Sequence, residues 1–257
     1  MVNEEVDILY NYTMNKLLKS YILKFHKFNH IFLIINLFLI SMLVGVFFLI
    51  LEGINEQDII YKFDTGIISF IVSHRTNFLS NFFLAFTQLG GIKVIVILTI
   101  LISFGFIIKH KWSYLVLVLS DLAFGSLLVI IIKNIVHRAR PPFVDAIAFE
   151  SSYSFPSAHS FISMTFYGLI VYLLIRKTKD LLLRILILIS GILLILLIGI
   201  SRIYLGVHWT SDVMAGYISG IVWLILVIWM YEWILKRNLK TQDPGGIQKK
   251  GCELGNS

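Results

Sequence analysis

Charged residues are few: Asp, Glu, Lys and Arg make up 14% of the 257 residues, roughly half the share of an average soluble domain, whereas 58% are hydrophobic. So little charge excludes a soluble globule. The single cysteine, Cys252, cannot pair within the chain and excludes a disulfide scaffold, while 4 Pro and 17 Gly exclude fibrous and low-complexity architectures. What is abundant is long apolar sequence. A helical crossing takes about 20 apolar residues, so the chain holds about six spans and no large soluble domain.

Ile31–Leu51 is uncharged for 21 residues and reads as span one. It exceeds the usual h-region of a signal peptide and no small-x-small cleavage site follows, so it is expected to stay in the mature protein. Further apolar runs cover Gly91–Ile108, Trp112–Ile132, Ser160–Ile175, Leu181–Ile200 and Val213–Tyr231. Thr65–Gly90 is apolar but interrupted by His74, Arg75, Asn77, Asn81 and Gln88, and reads as an interfacial or re-entrant helix. The fold class expected is all-α: a polytopic membrane protein of six transmembrane helices with an extra interfacial helix between spans one and two. Residues 1–30 form a cytoplasmic arm, 31–237 the six-span domain, and 238–257, polar and broken at Asp243-Pro244-Gly245-Gly246, a disordered cytoplasmic tail.

Basic residues orient the chain. With Thr65–Gly90 not crossing, the N-terminal arm, the Lys109–Lys111 and Arg176–Arg184 turns and the tail share one side and carry 15 of the 22 Lys and Arg residues. The positive-inside rule makes that side cytoplasmic, with both termini on it. The net charge of +7 then follows from topology and attraction to anionic lipid, with no call for a nucleic acid. Seven basic residues remain outside: Lys62, Arg75, Lys93, Lys133, Arg138, Arg140 and Arg202. The first three read as solvated or snorkelling side chains. The other four gather near His and Asp residues at predicted span ends.

The pattern there is Lys133-x6-Arg140-Pro141, then Pro156-Ser157-x-His159, then Ser201-Arg202-x5-His208-x3-Asp212. The first two motifs are weak alone; the third fixes four residue types in twelve positions. Together and in this order they resemble the three signature motifs of the type 2 phosphatidic acid phosphatase (PAP2) family, over about Gly90–Tyr231. One departure is Ala158, where the family more often has Gly; Ala still offers a backbone N–H to phosphate if its φ is negative.

A phosphatase must neutralise the phosphate oxygens and supply a nucleophile and an acid. Lys133, Arg140 and Arg202 can neutralise charge, the Arg planes suiting bidentate contacts. Ser157, the Ala158 N–H and the start of span four add donors. Asp145 and Glu150 lack metal-ligand spacing, so no metal and no cofactor is expected. His208 and Asp212 are four apart, so if the segment is helical they share a face, and the carboxylate can hold one ring nitrogen protonated while the other attacks phosphorus. The resemblance implies the same nucleophile, a phosphohistidine intermediate, and His159 as the acid that later activates water. His137 and Arg138 read as loop or interface residues. Asp121 reads as a hydrogen-bonded packing residue, and Trp209, Trp223, Trp229 and Trp233 as core or interfacial aromatics.

The expected activity is hydrolysis of a lipid phosphate or pyrophosphate at the outer face of a bacterial plasma membrane, undecaprenyl pyrophosphate first, phosphatidylglycerol phosphate or phosphatidic acid as alternatives. A phosphatase of soluble esters and a non-catalytic anion-binding protein or transporter are the competing readings. The last is disfavoured because both His residues and Asp212 are present, whereas binding needs only cations. Membrane lipids are the expected surroundings, and oligomeric state stays open: Gly191, Gly199, Gly216 and Gly220 serve packing within a bundle as readily as between chains.

Overall fold

The structure, a computed structural model, describes residues 29–56, 59–142 and 146–242. Most of the N-terminal arm, Asp145, Cys252 and the break at Pro244 lie outside the described residues. The described residues are helical: α1 (Asn29–Glu56), α2 (Ile59–Ser73), α3 (Asn77–Phe86), a 3₁₀ turn (Thr87–Gly90), α4 (Ile92–Ile108), α5 (Trp112–Val136), α6 (Ala158–Lys177), α7 (Leu181–Tyr204) and α8 (Thr210–Gln242). α8 thus continues four residues beyond Asn238 into the segment assigned to the polar tail.

The chain divides into two compact units, 1–45 and 46–257. The described part of the first is helical, and none of its side chains from Ile34 to Gly45 is buried. The second holds everything else. Among the described residues of the whole chain, five helices, α1 included, are long and apolar enough to cross a membrane, and α3 with its 3₁₀ turn and α4, bent by 45°, pass together as a sixth. The chain is a multi-pass membrane protein. Thr65–Gly90, expected as one helix, is instead the end of α2, a break, and α3 with its turn. The break has one distant and one local cause: Arg75 donates to the Tyr204 carbonyl (2.6 Å from Nη2), and Thr76 caps α3 by accepting from the Leu79 N–H. Arg75, read as a solvated side chain, is therefore a tie between α2–α3 and the end of α7.

α6 has helices on several sides. Its buried Phe166, Leu169 and Leu173 join Ile95 of α4, Leu117 and Val118 of α5, Ile195 and Ile198 of α7, and Val227 of α8 in one core. Opposite faces stay apolar because lipid covers them: on α7, Leu182, Leu186, Ile189, Leu193, Leu196 and Ile200, spaced three or four apart, are all exposed. The small residues face inward. A Cβ at Gly216 would meet the Ser157 carbonyl at 2.7 Å, and one at Gly220 would meet Met164, so α8 lies against α6; Gly191 and Gly199 likewise meet Val171 and Tyr217. All four glycines serve packing within the bundle. Asp121 accepts from the Trp223 indole N–H at 3.0 Å, in keeping with its assigned packing role.

Candidate active site

Three junctions bring the motif residues to one end of the second unit. α5 ends at Lys133–Val136 with His137 in the left-handed region (φ 52°), which turns the chain sharply into Arg138–Pro142. α6 starts at Ala158 with Ser157 as its N-cap. α7 passes to α8 through a turn whose Gly206 takes φ 72°, a conformation costly for any residue with a Cβ, and this places His208 between Arg202 and Asp212. Gly90 sets the remaining wall: a Cβ there would lie 2.5 Å from Ile198 and 3.3 Å from the His159 ring, so only glycine lets the 3₁₀ turn lie this close.

His208 and Asp212 are both fully buried, with Nδ1 3.4 Å from Asp212 Oδ2. The carboxylate is held tightly: Oδ2 also accepts from the Trp209 N–H (3.0 Å) and the Ser154 hydroxyl, and Oδ1 accepts from Arg138 Nη1 at 2.5 Å. With Nδ1 committed to the carboxylate, Nε2 faces the cations, 3.2 Å from Arg140 Nη1. Burial first, and then the charges of Arg202, Arg140 and Lys133, hold the His208 imidazole well below its ordinary pKa. Its outer nitrogen therefore keeps a free electron pair at neutral pH, as a nucleophile needs.

Around Nε2 lie the three expected cations. Arg140 is anchored by the Ser152 and Val207 carbonyls (2.7 and 2.6 Å). Arg202 donates to the Thr87 hydroxyl at 2.8 Å, and its buried Nε–H has no partner among the described residues. Lys133 donates to the Tyr153 carbonyl and, at 3.4 Å, to that of Ser154. At their centre sits a carboxylate, Glu150. It pairs with Arg140 (2.9 Å) and Arg202, and its oxygens lie 3.8 Å from His159 Nδ1 and 4.0 Å from His208 Nε2. Burial pushes Glu150 upward, but Arg202, the two imidazoles and Arg140 outweigh it and bring its pKa down to about 2. A carboxylate so held marks a pocket built for an anion.

Every expected site residue is in this assembly, with two refinements. The Ser157 oxygen accepts from the Ser160 N–H (3.4 Å) and hydroxyl (3.0 Å), so it caps α6. Ala158 is not among the described residues of positive φ, so its N–H needs no glycine. Five members went unread in the sequence: Asp64, Thr87, Arg138, Glu150 and Ser154. Arg138, read as a loop residue, is bound to both Asp212 and Asp64. Among the described residues no group of three or more His, Cys, Asp and Glu converges as a metal cage.

An all-helical membrane bundle whose motif cations and imidazoles surround an anion pocket defines the class. The PAP2 superfamily profile matches residues 110–236. Phosphatidylglycerophosphatase B of Bacillus subtilis is 33% identical over 191 residues, 71% of this chain and 90% of that protein. An undecaprenyl-diphosphatase of Sulfolobus acidocaldarius is 31% identical over 38% of each chain. Among solved structures, a transmembrane PAP2-type phosphatidylglycerolphosphate phosphatase from Bacillus subtilis superposes with a TM-score of 0.70 at 29% identity, covering 76% of this chain and 96% of that one. LpxE of Aquifex aeolicus superposes at 0.51 and 25% identity, covering 65% and 94%. The chain belongs to the PAP2 superfamily, and it is a phosphatase.

Proposed function

We propose that the protein removes the terminal phosphate of a lipid phosphate or pyrophosphate at the outer face of the plasma membrane, through a phosphohistidine at His208 and without a metal ion. The observation that carries this reading is Glu150 surrounded by Arg140, Arg202 and two imidazoles: an anion pocket with a neutral imidazole nitrogen pointing into it.

In this mechanism a substrate phosphate displaces the Glu150 carboxylate and takes over its cations, adding the unpartnered Arg202 Nε–H and the N–H groups at the start of α6. The His208 Nε2 electron pair attacks phosphorus as the ester or anhydride P–O bond breaks. His159 gives its proton to the departing oxygen. Asp212 stabilises the positive charge that His208 acquires. A water molecule then loses a proton to His159 and attacks the phosphohistidine, the N–P bond breaks, and inorganic phosphate leaves. Lys133, Arg140 and Arg202 supply the charge neutralisation that a metal supplies elsewhere.

The outer face follows from the 15 basic residues that the six-span arrangement collects on the opposite side. For the substrate, two observations bear on the choice. Arg138, a further cation that could have met the extra oxygens of a polyprenyl pyrophosphate, is engaged with Asp64 and Asp212. The match to phosphatidylglycerophosphatase B covers 90% of that protein, against 38% for the undecaprenyl-diphosphatase. Phosphatidylglycerol phosphate therefore stands ahead of undecaprenyl pyrophosphate. Matched kcat/KM values in mixed micelles test this. A lipid phosphate should exceed a soluble monoester by orders of magnitude; equal values for a sugar phosphate would refute lipid specificity, and a preference for the pyrophosphate would reverse the order of the two lipids.

A further inference from the structure

Asp64 lies on α2, outside residues 110–236 and far in sequence from all three motifs, yet it is fully buried against the site. One oxygen accepts from the Ser211 N–H (2.9 Å); the other accepts from the Ser211 hydroxyl (2.5 Å) and from Arg138 Nη2 (2.8 Å). The same guanidinium gives its other terminal nitrogen, Nη1, to Asp212 Oδ1 (2.5 Å) and to the Ser211 hydroxyl (2.8 Å). Arg138 therefore forks between two buried carboxylates, and its 5.5 Å approach to the Trp209 ring fixes the plane of the fork.

We propose that Asp64 is a positioning residue of the phosphatase site, acting through Arg138 on Asp212 and hence on His208. The reading rests on His208 being the nucleophile. Its physical basis is charge as well as geometry. An Arg138 devoted to Asp212 alone would neutralise the carboxylate that must stabilise the His208 cation as the N–P bond forms. Asp64 shares that guanidinium, so Arg138 is not devoted to Asp212 alone. It also fixes where Arg138 and the first turn of α8 stand, and thus where Asp212 points. Tying α2 to the bundle is the purely structural alternative, and it predicts a different experimental outcome.

The test is a double-mutant cycle on the full-length protein in lipid, with kcat, KM and thermal stability measured for Asp64→Asn, Asp212→Asn and the pair, and turnover normalised to folded protein. Asp64→Asn should lower kcat about tenfold with KM within about twofold, and the loss should shrink to less than about threefold in the Asp212→Asn background, because its route to His208 is already cut. Equal losses in both backgrounds, or a normalised kcat unchanged by Asp64→Asn, would overturn the proposal. Should Asp64→Asn not fold, Arg138→Lys replaces it: a point charge cannot fork between two carboxylates, so the same non-additivity with Asp212→Asn is expected, and additivity overturns the proposal equally. His208→Ala run alongside separates the two levels. A His208→Ala enzyme that still turns over contradicts the nucleophile assignment, whereas an inactive one combined with additive Asp64 and Asp212 effects contradicts only the role of Asp64.

Discussion

Helices α6 and α8 each carry a polar cluster at either end, and the two clusters differ in one respect that decides what they do. At one end stand Lys133, Arg140 and Arg202, with Glu150 as the carboxylate among them and two imidazoles alongside. At the other, about 25 Å along α6 at 1.5 Å per residue, Arg176 pairs with Glu232, Tyr172 donates to the same carboxylate, and Lys177 and Arg176 lie over the rings of Tyr114 and Tyr231. In the second cluster the carboxylate is matched by one guanidinium, Lys177 lies against aromatic rings, and each side chain of the ion pair is about a third exposed. Such a pair contributes little to stability and offers nothing to an incoming anion. The first has cations in excess, largely buried and anchored by backbone carbonyls in the case of Lys133 and Arg140 and by the Thr87 hydroxyl in that of Arg202, so they cannot relax around one carboxylate. Excess charge held rigidly is what turns an ion-pair cluster into a binding site for phosphate.

Substitutions should separate the clusters sharply. His208→Ala removes the nitrogen proposed to attack phosphorus and is expected to cut kcat by about 10⁶, with Asp212→Asn leaving more activity, a loss of about 10⁴. Equal residual rates in the two variants would argue against His208 as the nucleophile. Arg202→Lys keeps a charge but loses the guanidinium fork and the Nε–H, and should lower kcat/KM by about 10²-fold. The matching change in the other cluster, Arg176→Lys, should stay within about twofold in the same assay. A comparable loss there would erase the distinction drawn between the two ends.

Glu150→Gln goes the other way. A neutral amide holds Arg140 and Arg202 less firmly than a carboxylate, so inorganic phosphate should inhibit this variant about tenfold more tightly, equivalent to ~1.4 kcal/mol. Unchanged or weaker inhibition would mean that Glu150 does not compete for the phosphate position. The smallest effect concerns pH. His208 is neutral when folded, its pKa held below the ordinary value by burial and by Arg202, Arg140 and Lys133, but it takes up a proton when exposed by unfolding below about pH 6.5. The unfolded chain then binds more protons than the folded one, so stability falls as pH drops below about 6.5. In thermal scans between pH 7.5 and 5, His208→Asn should flatten part of that decline; parallel curves would contradict a buried neutral imidazole.

The spans were legible because apolar runs of bilayer length with at most one charge have one physical outcome, and Ile31–Leu51 or Leu181–Ile200 need no partner to be read as helices. The break at His74–Thr76 was not, since it depends on Arg75 reaching the Tyr204 carbonyl across the bundle. The third motif was legible because its residue types and spacing are specific; the shared helix face expected for His208 and Asp212 was not found, since His208 stands in the turn before α8 and reaches Asp212 from there. Glu150 and Ser154 sit in a loop, where no period announces which side chains turn inward. Arg138 carried a faint signal, a further cation between Lys133 and Arg140. So did Asp64, the only acid in the apolar stretch Ile59–Ser73, since a carboxylate in such a helix needs a partner to be tolerated. The identity of that partner lies 74 residues away at Arg138 and 147 away at Ser211, a distance that sequence pattern alone does not bridge.

The central claim is that His208 carries the phosphoryl group. Rapid acid-free quenching of the purified enzyme with lipid substrate labelled at the terminal phosphate tests it directly, followed by peptide mapping of the label. The account predicts a labelled protein whose bond is lost in acid and survives in alkali, as expected for an N–P bond, on the peptide containing His208 and absent from His208→Ala. Label on another residue, or full turnover in His208→Ala without a labelled intermediate, would contradict it.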